Sequence, residues 1–169
     1  MRALGIDPGT SITGWGIVDR HGNRLHHVAH GAIRTQTAAP LPERLSEIFR
    51  GISRVIADHQ PSVAAVEAVF LAHNVQSAIK LGHARGAAIV AASHGGLPVH
   101  EYAALAVKKA VVGYGRAEKG QVQQMIRILL GMNETAPPDA ADALAVALCH
   151  LHQADSPLHA ALHQAARRR

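Results

Sequence analysis

Apolar positions recur along this chain with two different periods, and the switches between them delimit the predicted elements. Residues 2 to 7, 13 to 19 and 24 to 34 read as strands, separated by Pro8-Gly9 and by the turn His21-Gly22-Asn23. Leu41, Leu45, Ile48, Phe49, Ile52, Val55 and Ile56 then fall at helical spacing, which predicts an amphipathic helix over 41 to 59, stopped before Pro61. Residues 63 to 67 read as a strand with both faces apolar. A helix rich in small residues follows over 75 to 93, and a short strand from Val99 to Tyr102 follows Gly95-Gly96 and Pro98. Val122, Met125, Ile126, Leu129 and Leu130 mark another helix, and 139 to 153 the last. Three hairpin strands followed by helix–strand alternation predict an α/β domain on a mixed sheet.

Length adds one domain: a unit over 1 to 153, with a basic and flexible tail over 154 to 169. The apolar share of 48% suits a compact fold. No apolar run reaches the roughly 18 residues of a membrane span, and no signal-peptide core opens the chain. Cys149 has no partner for an internal disulfide, so a buried thiol in a reducing cytoplasm is expected. Lys and Arg outnumber Asp and Glu 17 to 12, a balance that favours an acidic partner such as nucleic acid. Of the 13 histidines, His26, His27 and His30 cluster in sequence without a sulfur or carboxylate neighbour. Strict strand alternation separates 26 from 27, so this group is expected to be plain surface.

The acidic residues are harder to explain as surface. "LGIDPGTS" puts Asp7 at the end of the first strand, and "SVAAVEAVFLA" puts Glu67 at the end of a doubly buried one. "PPDAADALAVAL" opens the last helix with Asp139 and Asp142, on one face at i, i+3 spacing. Each alone could be a turn residue or a helix cap. Together they concentrate negative charge where open α/β sheets gather ligands, at the carboxyl ends of strands. No Arg or Lys lies between 62 and 72 or between 128 and 166 to offset them. Crowded, desolvated carboxylates are costly, and a hard divalent cation, Mg²⁺ or Mn²⁺, resolves the repulsion. Two such ions suit phosphodiester hydrolysis.

"GIDPGTSITGWGIV", "VEAVF", "SAIKLGHARGAAIVAA", "EYAALAVKKAVVGYGRAEKGQV" and "DAADALAVALCH" occur in an order that resembles the RuvC family of bacterial Holliday-junction resolvases, over residues 1 to about 152. The resemblance implies a ribonuclease-H-like fold, a five-stranded mixed sheet flanked by helices on both faces. It implies a homodimer that resolves four-way DNA junctions by symmetric metal-dependent nicks, leaving 5′-phosphate and 3′-hydroxyl ends. It further implies work beside the RuvA and RuvB branch-migration proteins. Asp7, Glu67, Asp139 and Asp142 match the family's catalytic, metal-binding acids. Phe70 matches a residue that stacks on a base, and Lys108 and Lys119 match lysines close to the scissile phosphate. Arg116 falls with Lys119 in the glycine-punctuated stretch "VVGYGRAEKG", a loop able to follow a phosphate chain. His73 stands where relatives often carry lysine.

Two rivals share the opening strand. The actin and Hsp70-like ATPases use a similar first phosphate-binding turn but need a second domain. YqgF-like nucleases lack segments such as "KLGHARG". For the dimer, the helix over 75 to 93 has more apolar directions than one buried face can hold, and Ala88 and Ala92 are candidates for its partner side.

Overall fold

The computed structural model describes residues 1–68, 75–115 and 117–154. Its elements run β1 (Arg2–Asp7), β2 (Ile12–His21), β3 (Arg24–Arg34), α1 (Leu41–His59), β4 (Val63–Ala68), α2 (Val75–His94), β5 (Val99–Ala103), α3 (Ala104–Val112), α4 (Lys119–Leu129) and α5 (Pro138–Gln153). The sheet order is β3-β2-β1-β4-β5. β1, β2 and β3 pair antiparallel, whereas β4 joins β1 and β5 in parallel. This is the expected five-stranded mixed sheet with helices on both faces. Of the expected tail, only its first residue is among those described.

Two apolar clusters sandwich the sheet. On one face Leu4, Ile6, Ile17 and Val66 meet α1 and α2. On the other Ala3, Val18 and Ala65 meet α5, backed by α3 and α4. α5 is buried nearly all round, with Leu144, Leu148 and Leu151 fully enclosed, which explains a helix made of Ala, Leu and Val. Truncating one of these leucines to Ala costs about 2–5 kcal/mol. Its one buried polar residue, His150, is met by the Tyr102 hydroxyl at 2.8 Å. Burial pushes the Cys149 thiol up to about 12, consistent with an unreactive thiol in the core.

Three expectations need correction. The stretch from 104 to 112 is helix α3, which the sequence reading passed over, so Lys108 stands on a helix and Val111 and Val112 are not loop. α3 ends at Gly113, whose φ of 83° is open to glycine, and its N–H reaches the Lys109 carbonyl at 2.9 Å. Second, Ala88 and Ala92 do not face a partner: both are fully buried, along with Ala84 and Ala91. The exposed apolar residues of α2 are Val75, Ile79 and Val90. Third, His27 and His30 are half-buried rather than plain surface: His26 and His27 do alternate, but β3 bulges after His27 and the alternation does not carry on to His30.

Candidate active site

Asp7 closes β1, and Glu67 is the fifth residue of β4. Their strands run parallel with Ile6 opposite Val66, so the two carboxylates follow at adjacent strand ends. α5 lies across β1 and β2 because those strands offer glycine where it crosses. A methyl group on Gly5 would overlap the Ala143 carbonyl, and one on Gly14 would overlap that of Asp139. Gly14 is itself the cross-strand partner of Asp7, so the same contact sets the start of α5 beside the end of β1. Asp139 is the second residue of α5 and makes no cap, since the capping position is Pro137 and carries no side-chain cap bond. The alternative of a helix cap is therefore not realised for Asp139, which is a first-turn acid.

The turn after Asp7 is tied down by residues that the sequence reading did not single out. The buried Thr13 Oγ1 donates to the Gly9 carbonyl at 2.9 Å and accepts from the Gly9 N–H at 3.3 Å. From α1, Arg44 Nη2 donates to the Thr10 carbonyl at 2.6 Å and to Ser11 Oγ at 3.1 Å, and Arg44 Nε donates to Thr35 Oγ1 at 3.2 Å. A contact between residues 34 positions apart leaves no trace in local pattern.

Electrostatics join the four acids. Burial, and then the charges of Glu67, Asp142 and Asp139, push the Asp7 carboxyl up to about 7, with Lys119 pulling the other way. Burial and Asp142 raise Glu67 above the usual carboxylate range, opposed by Lys108 and Lys119. The cations missing from the local sequence windows thus arrive from α3 and α4. A cleft of about 240 Å³ is lined by Glu67, Asp142, Lys108 and Lys119 over an apolar floor that includes Val107 and Val122. Lys119 Nζ donates to Asp142 Oδ2 at 2.7 Å, and this bond is the main cause of its own raised pKa. Lys108 Nζ reaches the Ala117 carbonyl at 3.4 Å. The expected Phe70, Arg116 and His73 lie outside the described residues.

Against known proteins, the family model described as "Crossover junction endodeoxyribonuclease RuvC" matches residues 3–150. The chain belongs to the RuvC family. A relative of that description from Citrifermentans bemidjiense is 64% identical over 154 residues, covering 91% of this chain and 94% of its own. The Thermus thermophilus RuvC structure aligns with a TM-score of 0.83 at 36% identity, over 91% of this chain and 95% of that one. RuvC from the same organism in complex with Holliday junction substrate aligns at 0.86 and 36%, over 91% and 94%. The fold is thus ribonuclease-H-like, and membership makes the chain a crossover junction endodeoxyribonuclease, a phosphodiester hydrolase of a divalent-metal-dependent family. Neither the actin-like nor the YqgF-like alternative is needed.

Proposed function

We propose that Asp7, Glu67, Asp139 and Asp142 are the catalytic, metal-binding acids of a Holliday-junction resolvase, and that Phe70, Lys108, Arg116 and Lys119 contact its DNA. The observation that carries this reading is that Asp7 and Glu67 stand at the ends of adjacent parallel strands, half-buried, within the field of Asp142 at the start of α5, with Asp139 also acting on Asp7. Phe70 rests on the resemblance, and Arg116 on its place in the glycine-punctuated stretch beside Lys119.

The donor set fits a hard cation. All four ligands offer oxygen, and an Asp7 carboxyl pushed to about 7 marks a site short of positive charge. Among the described residues no three acidic, histidine or cysteine side chains yet converge as a ligand set, and Asp142 is held by Lys119. Two Mg²⁺ or Mn²⁺ ions, when bound, would supply water activation and stabilisation of the leaving oxygen. The chain's own residues do the rest. Asp7 and Glu67, fixed on strands, hold the metal-binding centre rigid against the sheet. Asp139 and Asp142 bring the second half of the donor set on α5. Lys108 and Lys119 place positive charge where phosphate oxygens enter the cleft.

Four-way junctions present two strands related by a two-fold axis, and a homodimer meets that symmetry. Its support is the exposed apolar face of α2. Cooperation with RuvA and RuvB, and a cytoplasmic setting in keeping with the lone buried thiol, complete the reading. The test is incubation with an end-labelled mobile four-way junction and either Mg²⁺ or Mn²⁺. Paired nicks across the junction, ligatable without further processing, are the expected products. Cleavage of linear duplex at the same rate would overturn it.

A further inference from the structure

Strand β3 breaks its alternation between His27 and His30. The register sets His26 against Asp19 and His27 against Val18, then slips, so that Ala29 faces Ile17 and His30 faces Gly16. Val28 is the extra residue, and both Val28 and Ala29 pack into the cluster beneath α1. Residues three apart on a regular strand point to opposite faces; this bulge puts His27 and His30 on the same one, the face that carries α5. Their rings meet there. His27 Nε2 lies 2.7 Å from His30 Nδ1, with ring centroids 4.9 Å apart. Both are half-buried in a groove of about 760 Å³ that runs between β3 and the segment linking α4 to α5, with Asn133 and Glu134 along its wall.

We propose that His27 and His30 form a second metal site, separate from the four carboxylates, for a borderline divalent transition-metal ion of the zinc class. Imidazole nitrogen suits zinc, nickel and copper and is a poor ligand for magnesium, so the two sites select different ions. The 2.7 Å contact holds one proton between two nitrogens. Placing that proton on the outer nitrogen instead, Nδ1–H on His27 and Nε2–H on His30, turns both inner lone pairs toward one point. Zinc bonds imidazole at about 2.0–2.1 Å, which spaces two tetrahedral nitrogen ligands by about 3.3 Å. The two nitrogens therefore need to part by little more than half an ångström while the rings turn to face the ion. Burial lowers the pKa of both rings, and His30 adds to the effect on His27, which favours the uncharged, ligating form of each. Among the described residues no three such side chains gather at one point, so the chain supplies two ligands and water completes the shell. The groove wall runs on to Pro137, next to the start of α5, so the site lies beside the approach to that helix.

The site is tested by calorimetric titration of the full chain with zinc chloride in excess Mg²⁺, which loads carboxylates and leaves imidazole free. His27→Gln and His30→Gln should each weaken zinc binding by at least about tenfold. Asp7→Asn, in the carboxylate cluster, should leave it unchanged, which separates this inference from the nuclease assignment. Thermal melts of the metal-free variants report whether either replacement harms the fold. Independently of any variant, side-chain nitrogen correlation spectra of the wild type should show His27 and His30 signals shifting first as zinc is added. Zinc affinity unchanged in the double variant, or first shifts at other histidines, overturns the proposal.

Discussion

Lys119 Nζ sits 2.7 Å from Asp142 Oδ2, so the first residue of α4 is ion-paired with an acid one turn into α5. The same ammonium lowers the charging cost of Asp7 and Glu67. It stands in for positive charge that the acids otherwise lack. Side chains of this pair are 59% and 30% exposed, so as a stability element the bridge contributes only about 0–1 kcal/mol. Its consequence lies in binding.

Lys119→Ala should therefore tighten Mn²⁺ binding to DNA-free protein, measured by calorimetry, because a competing cation is gone. The same change should slow junction cleavage. It should also flatten the dependence of log affinity on log salt by about 0.9, one phosphate contact's worth. Mn²⁺ binding that weakens, or a salt slope equal to wild type, would remove Lys119 from the site.

Asp7 gives a pH prediction whose sign is fixed. Its carboxyl titrates from 3.8 in the unfolded chain to about 7 when folded. Between those values the folded protein holds a proton that the unfolded chain has released, so this group favours folding most below about 4 and least above about 7. In metal-free protein Asp7→Asn should melt higher than wild type at pH 8, and the difference should fade toward pH 4. With saturating metal the variant's cleavage should fall by at least about 10³-fold, several kcal/mol of lost stabilisation, while junction binding persists or tightens. A variant that melts lower at pH 8 would make Asp7 a structural residue.

The elements legible in the sequence are those whose period is set by one-sided burial. α1 matches its expected span, Leu41–His59, because Ile48, Ile52 and Val55 are its buried stripe. Asp7 and Glu67 were legible because a carboxylate at the end of an apolar run is conspicuous. α3 was passed over because Val107 and Val111 give it only two buried positions ahead of the glycine-punctuated stretch that follows. The bulge at Val28 leaves no local signal: it depends on register against β2. Ala88 and Ala92 misled because alanine fits a tight core and a tight interface equally well. Only packing against the sheet and α1 distinguishes those two fates.

Gly14→Ala tests whether close approach of α5 to the sheet sets the acids. The added methyl would overlap the Asp139 carbonyl, and backbone on both sides prevents easy relief. Overpacking of this kind costs about 1–3 kcal/mol. Cleavage, assayed well below the melting temperature, should fall further than the loss of folded protein accounts for, since Asp139 itself is displaced. Gly120→Ala is the control, because a methyl there meets open space. Equal effects of the two substitutions on cleavage would detach catalysis from the Gly14 contact.

The dimer prediction rests on one stripe of α2. Ile79, Gly82, Gly86 and Val90 follow at spacings of three and four residues, which stacks them on one side of the helix. Ile79 is 55% and Val90 57% exposed, and a methyl added at either glycine meets nothing. Ala84, Ala88, Ala91 and Ala92 face inward, so the outward stripe can change without opening the core. Exposed β-branched residues flanking bare helix backbone form a surface that a second copy can approach closely, and Phe49, His83 and Ala87 extend it into the groove between α1 and α2. Closed two-fold pairing is the commonest use of such a face. Ile79→Glu with Val90→Glu should leave the melting temperature of the chain nearly unchanged at a concentration where wild type is already monomeric. At micromolar concentration the variant should sediment as a monomer while wild type sediments as a dimer. On a labelled junction it should still nick, yet the two nicks should become uncoupled, so that singly nicked junctions accumulate. A variant that stays dimeric and resolves junctions with paired cuts would place the partner contact elsewhere on the fold.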